Sequence, residues 1–253
     1  MLTSGRTALV TGAGKRVGRA IALALAGAGA DLYVHYGRSS EAAEETARAA
    51  RELGVRAWTG TADLADPASI ARLFEDVASQ AGRLDVLVNS AARFDKQALD
   101  AIEDTDWSRS FDVNLRAPFL SARHAAKLMG QSDEIDRGCI VNISDLSGVH
   151  PWQDYVQHGL SKAGVLHLTR ILARELAPEI RVNTIVPGAI LPPPGMSEEE
   201  PEWREIARRI PLQRTGRADQ IADTVLYLVG ADFTTGATIH VDGGEGLLGP
   251  VGH

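Results

Sequence analysis

An α/β domain with a parallel sheet covered by helices on both faces is the fold this sequence predicts. Three observations carry that reading. Short β-branched runs alternate with segments of helical periodicity, the pattern of βαβ units. The runs around 86 and 140 are apolar without a polar alternate, as strands covered on both faces are. No composition break, long linker, repeat or low-complexity tract divides the 253 residues, so residues 1–253 read as one domain.

The strand runs are Ala8 to Val10, Leu32 to Val34, Val86 to Val88, Ile140 to Ile143 and Arg181 to Val186. Periodicity predicts helices near 16–28, 40–53, 67–80, 104–130, 154–176 and 217–230. Asp66-Pro67 supplies an N-cap and a first-turn proline to the third of these. Leu191-Pro192-Pro193-Pro194-Gly195-Met196-Ser197 cannot continue a helix and suits a central strand badly. It is expected to be a loop leaving a strand end, within a substrate loop at about 190–210; a binding lid and a plain solvated connection both stay open. Glu198 to Glu200 read as a solvated helix start rather than a metal site.

Composition excludes several classes. The 33 acidic and 26 basic residues leave a net charge of -7, which speaks against a nucleic-acid partner. No window approaches the roughly 18 apolar residues of a membrane span, and the N-terminus lacks a secretory pattern, so a cytoplasmic protein with no membrane partner is expected. One cysteine cannot form an intramolecular disulfide or a cysteine-built metal centre. Cys139 reads as a small core side chain beside a buried strand. His124, His150, His167, His240 and His253 do not cluster with acids, so no metal is expected. Asn142-Ile143-Ser144 fits a glycosylation acceptor but falls in a predicted inner strand.

The chemistry begins at Thr11-Gly12-Ala13-Gly14-Lys15-Arg16-Val17-Gly18, directly after the first strand and opening the first helix. Glycines there let backbone N–H groups approach a pyrophosphate at a helix N-terminus. The second strand ends in His35-Tyr36-Gly37-Arg38-Ser39-Ser40, and the nearby acid, Asp31, starts that strand at its far end. Without an acid to hold a ribose 2′-hydroxyl, Arg38, Ser39 and His35 are candidates for a 2′-phosphate, so NADPH is expected over NADH. Ala62-Asp63-Leu64 places a carboxylate where an adenine amino group could donate to it, or where it could equally cap the next helix, a task Asp66 already suits. Val88-Asn89-Ser90-Ala91-Ala92 supplies small residues that permit close approach of a nucleotide.

With Asn114, Lys162 and Pro187-Gly188, these spacings resemble the short-chain dehydrogenase/reductase superfamily over essentially the whole chain. The resemblance implies a Rossmann-type, doubly wound, seven-stranded parallel sheet, a nicotinamide cofactor contacted also by Pro187, Gly188 and Ile190, a small-molecule substrate, and often a homotetramer. Arg16 stands where the superfamily pattern has Gly. That arginine, His35-Tyr36-Gly37-Arg38-Ser39, Phe94 and Asp145 together resemble the pteridine and dihydromonapterin reductases. The resemblance makes Asp145 the acid replacing the usual active-site serine, Lys162 the lysine on the nicotinamide ribose and Asn114 the support of a relay water. It makes Phe94 the ring that sandwiches the substrate, Tyr155 a pocket tyrosine, and Arg16 an arginine reaching cofactor phosphates and substrate.

One position departs from the pattern. The superfamily's proton donor is a tyrosine four residues before the lysine, and here His158 occupies that place before Lys162. Residues i and i+4 share a helix face, so His158 is expected to point where the tyrosine would. Three outcomes stay open: His158 or Asp145 as donor, Tyr155 acting from one turn earlier, or retained NADPH binding without catalysis as a sensor or scaffold. The leading expectation is hydride transfer to a pteridine or similar planar C=N or C=O compound, with an ordinary ketone or 3-oxoacyl reductase as runner-up.

Overall fold

The structure is a computed structural model that describes residues 4–130, 138–193 and 195–248. Pro194 of the proline run and His253 lie outside the described residues. Seven strands, β1 (Thr7–Val10), β2 (Asp31–Tyr36), β3 (Ala57–Thr61), β4 (Val86–Asn89), β5 (Gly138–Ile143), β6 (Ile180–Pro187) and β7 (Thr238–Val241), form one sheet in the order β3-β2-β1-β4-β5-β6-β7. Every pairing is parallel. Side chains alternate between two cores: Ala8 and Val10 enter one, Leu9 the other. The same holds for Val86, Val88 and Leu87, and for Cys139, Val141 and Ile140. That double coverage is why the inner strands read as unbroken apolar runs. The edge strand β7 keeps its side chains partly exposed, so it offers no such run and escapes the sequence reading.

Helices α1 (Arg16–Gly27), α2 (Ser40–Glu52) and α8 (Ala218–Gly230) pack on one face of the sheet. Helices α3 (Pro67–Ala81), α5 (Ala117–Met129) and α6 (Val156–Glu175) pack on the other. Asp66 caps α3 as expected, accepting from the amides of Ala68 and Ser69, and Gly82 closes it in the left-handed region. The helix expected at 104–130 is interrupted: α4 (Asp104–Phe111) passes through a π-helical turn at Asp112–Arg116 into α5. Within the expected loop at 190–210, the helix start read at Glu198 to Glu200 leads into α7 (Pro201–Arg209), which buries Trp203. Proline at its first position and Glu200 just before it mark its start.

The chain winds outward from β1 to β3 and then returns to place β4 on the other side of β1. Ligand crevices in such sheets open at the carboxyl ends of the strands flanking this reversal. The segments 11–15, 90–94, 144–145 and 188–190 all leave strands on that edge.

Candidate active site

The turn between β1 and α1 is shaped by two glycines. Gly12 has φ +68, and a Cβ on it would lie 3.1 Å from Ala91 Cα. A Cβ on Gly18 would come within 2.4 Å of the Gly12 carbonyl oxygen, so α1 could not pack against the turn. No side chain caps α1 and its first turn carries no acid, leaving its leading N–H groups suited to an anion. Lys15 is exposed at the cap position and Val17 is partly buried against the core. Thr11 is a member of this site whose role the sequence does not reveal. Its Oγ accepts from the amides of Ser90 and Ala91 at 3.0 and 3.1 Å, fastening the end of β4 to the turn.

Arg16 has φ +53, a left-handed backbone that accounts for glycine at this position in the related pattern. Its guanidinium donates to the carbonyls of Pro192 at 2.7 Å and Leu191 at 3.4 Å, tying the turn to the proline loop. His35 requires a correction. It is 1% exposed, its Nδ1 accepts from the Gly12 amide at 3.1 Å and its Nε2 donates to the Ala62 carbonyl at 3.2 Å. Burial holds its pKa down at about 4 against the opposing effect of that carbonyl. A neutral ring with both nitrogens occupied supports the turn and has nothing to offer a phosphate. Arg38 is exposed and Ser39 half-buried at the end of β2, while Asp31 pairs with Arg56 at the strand's other end.

Asn89 is likewise turned inward. It is buried and donates to Asn142, which donates to Thr169, which meets Thr184 at 2.5 Å. This polar ladder crosses β4, β5, α6 and β6, so the Asn89 amide group is not available to a nucleotide. Asp63 is exposed, accepting from the Ala65 amide and pairing with Arg109 at 3.4 Å, beside a buried Leu64.

The reactive groups gather at the ends of β5 and α6. His158 and Lys162 lie one turn apart on α6, both buried. Nε2 of His158 is 2.6 Å from Oδ2 of Asp145, and Nδ1 is 2.9 Å from the Arg93 carbonyl. Oδ1 of Asp145 accepts from the backbone amide and the hydroxyl of Ser147. Burial pushes the Asp145 carboxyl up, but the His158 hydrogen bond, the charge of Lys162 and the Ser147 bond outweigh it and hold the group at about 2. Lys162 donates to the Ile143 carbonyl at 2.9 Å; burial lowers its pKa and Asp145 opposes that. Asn114, presented by the π-helical turn, exchanges hydrogen bonds with the backbone of Arg93 and donates to Ser161. Such turns recur at functional sites because they redirect a single side chain.

Phe94, 45% exposed, has its ring 4.9 Å from Tyr155 and edge-on at 4.8 Å to His158, with Trp152 at 6.5 Å. Tyr155 is the N-cap residue of α6, with a non-helical backbone of φ -126 and ψ 37. Burial, Asp154 and Asp145 raise its pKa, making it a weaker acid than an ordinary tyrosine. The sequence does not single out Ser147, Ser161, Trp152 or the Arg93 carbonyl, because each contributes through a contact that no spacing reveals. Cys139 lies within β5, fully buried, and Asn142 and Ser144 are buried on the same segment. Among the described residues there is no cluster of three metal-ligating side chains, and no helix is long and apolar enough to cross a membrane.

The family model described as Enoyl-(Acyl carrier protein) reductase matches residues 12–245. The chain is 36% identical over 244 residues to the 3-oxoacyl-[acyl-carrier-protein] reductase FabG of Staphylococcus aureus, covering 94% of this chain and 97% of that one. It is 34% identical to 3beta-hydroxysteroid dehydrogenase 1 of Eggerthella lenta, with 96% and 94% covered. Among solved structures, a blue fluorescent protein from a metagenomic library in complex with NADPH superimposes with a TM-score of 0.88 at 31% identity, over 97% and 99% of the two chains. Acetoin dehydrogenase YohF from Salmonella typhimurium gives 0.86 at 34%, over 96% and 97%.

Proposed function

The chain belongs to the short-chain dehydrogenase/reductase superfamily, is therefore a nicotinamide-dependent oxidoreductase, and on that premise we propose that it is an NADPH-dependent reductase of a planar C=N or C=O compound, a pteridine or a similar flat ring. The observation that carries the proposal is the Asp145 carboxylate, fixed by His158 and Ser147, with the partly exposed ring of Phe94 edge-on to that same His158. The glycine turn fits the phosphates of a dinucleotide, since it leads into α1, whose first turn has no side-chain cap and no acid to compete for the leading N–H groups.

Gly12, Lys15, Arg16, Val17 and Gly18 would hold its phosphates, Arg38 and Ser39 its 2′-phosphate, and Asp63 and Leu64 its adenine. The backbone of Asn89, Ser90 and Ala91, with Lys162, Pro187, Gly188 and Ile190, would line the nicotinamide half. When bound, the reduced dinucleotide supplies the hydride. The chain's own residues supply the proton and the orientation. His158 is 1% exposed whereas the Asp145 side chain is 19% exposed, so Asp145 is the group that meets the substrate and His158 stands behind it. With the Asp145 carboxylate on one side of the ring and the Arg93 carbonyl on the other, the pair can hold the proton that reduction consumes and regain it from water. Phe94 and Tyr155 offer ring faces against which a flat substrate stacks.

A second reading, reduction of a ketone or 3-oxoacyl group, is favoured by the identity to the 3-oxoacyl-[acyl-carrier-protein] reductase. NADPH consumption with a dihydropterin, a simple ketone and a 3-oxoacyl thioester separates the two. Turnover of the dihydropterin alone supports the planar-ring reading, and turnover of the thioester alone supports the second. NADPH binding without consumption of any of them supports a non-catalytic sensor or scaffold.

A further inference from the structure

We infer that Glu245, from the turn that follows β7, is a positioning residue of the dinucleotide site. The inference rests on the reductase reading above. Glu245 is 7% exposed, and its Oε2 accepts from the Ala189 amide at 2.9 Å. Ala189 lies between Gly188 and Ile190, on the stretch proposed to line the nicotinamide half. The fit is close: a Cβ on Gly188 would lie 2.6 Å from Glu245 Oε2 and 2.8 Å from Asp242 Cα. The Gly188 amide donates to the Val241 carbonyl and the Gly216 amide to the Ala189 carbonyl. Glu245 therefore receives the Ala189 amide, the neighbour of the Gly188 amide that β7 receives.

A buried carboxylate is a costly choice for this task unless the amide it satisfies must be held in place. The setting makes it costlier. Burial raises the pKa of Glu245, the Ala189 amide opposes this, and the nearby Asp242 raises it further. Asp242 is itself engaged, accepting from the amides of Gly244 and Gly246. The turn carrying Glu245 has a second tie to the site, because Nε2 of His150 donates to the Gly246 carbonyl at 2.8 Å, and His150 closes the loop that begins at Asp145. One short turn thus braces the segment at the end of β6 and the loop that carries the proposed acid.

The test compares Glu245→Ala and Glu245→Gln in the full chain, reading two binding constants. One is for NADPH by nicotinamide fluorescence; the other is for 2′-phospho-ADP, which occupies the adenosine half alone. Glu245→Ala is expected to weaken NADPH about tenfold while leaving 2′-phospho-ADP unchanged. Glu245→Gln, which keeps an acceptor oxygen, is expected to restore most of the loss. Equal loss of both ligands in the alanine variant, or unaltered NADPH binding, overturns the role of Glu245 while the reductase reading stands. Absence of NADPH binding by the unaltered protein overturns both.

Discussion

The carboxylate of Asp145 and the imidazole of His158, thirteen positions apart in sequence, meet at 2.6 Å between Oδ2 and Nε2. The contact joins the end of β5 to the first turn of α6. Replacing His158 by alanine removes the principal bond that holds the Asp145 carboxyl at about 2. Turnover should fall well beyond tenfold while NADPH affinity stays nearly intact. The pKa of Asp145 should rise, and a rate that depends on its protonated form falls off on the alkaline side of that value. Steady-state rates across pH check this, and unchanged turnover would remove His158 from the mechanism.

Arg38 stands exposed at the carboxyl end of β2, and the His35 ring that could have shared its task is buried. Arg38→Ala should weaken NADPH by at least about tenfold and NADH hardly at all, since a charge-assisted contact to a phosphate is lost only in the former. Parallel fluorescence titrations decide it; an equal loss for both cofactors would undo the 2′-phosphate assignment.

His35 also makes stability depend on pH. Its folded value of about 4 lies below the ordinary 6.5, so the unfolded chain binds the extra proton more readily. The stabilising contribution is complete above about 6.5 and is lost as pH falls toward 4, amounting to about 3 kcal/mol at most. Denaturant midpoints measured at about pH 7 and about pH 4.5 should drop more for the native protein than for His35→Asn. An equal drop would place the acid sensitivity elsewhere.

Much of the fold was legible because it is written in local pattern. The inner strands show as apolar runs covered on both faces, and Asp66-Pro67 announces the start of α3. The edge strand β7 was harder, because it is half exposed, whereas the start of α7 was marked by Glu198 to Glu200 although its extent was not. The site divides the same way. The glycine positions and the one-turn spacing of His158 and Lys162 are visible from the sequence. The inward turns of His35 and Asn89 are not, since their partners Ala62 and Asn142 lie 27 and 53 residues away. Nor is the non-helical backbone of Tyr155 at the N-cap of α6, because one residue at a helix start decides it.

The central claim is that the Asp145–His158 pair delivers the proton in an NADPH-dependent reduction, through Asp145. NADPH oxidation by the native protein and by Asp145→Asn, with the substrate that the panel identifies, tests it most directly. The account predicts a rate lower by at least about a hundredfold in the variant, with NADPH affinity unchanged. Turnover by Asp145→Asn at the native rate would contradict it.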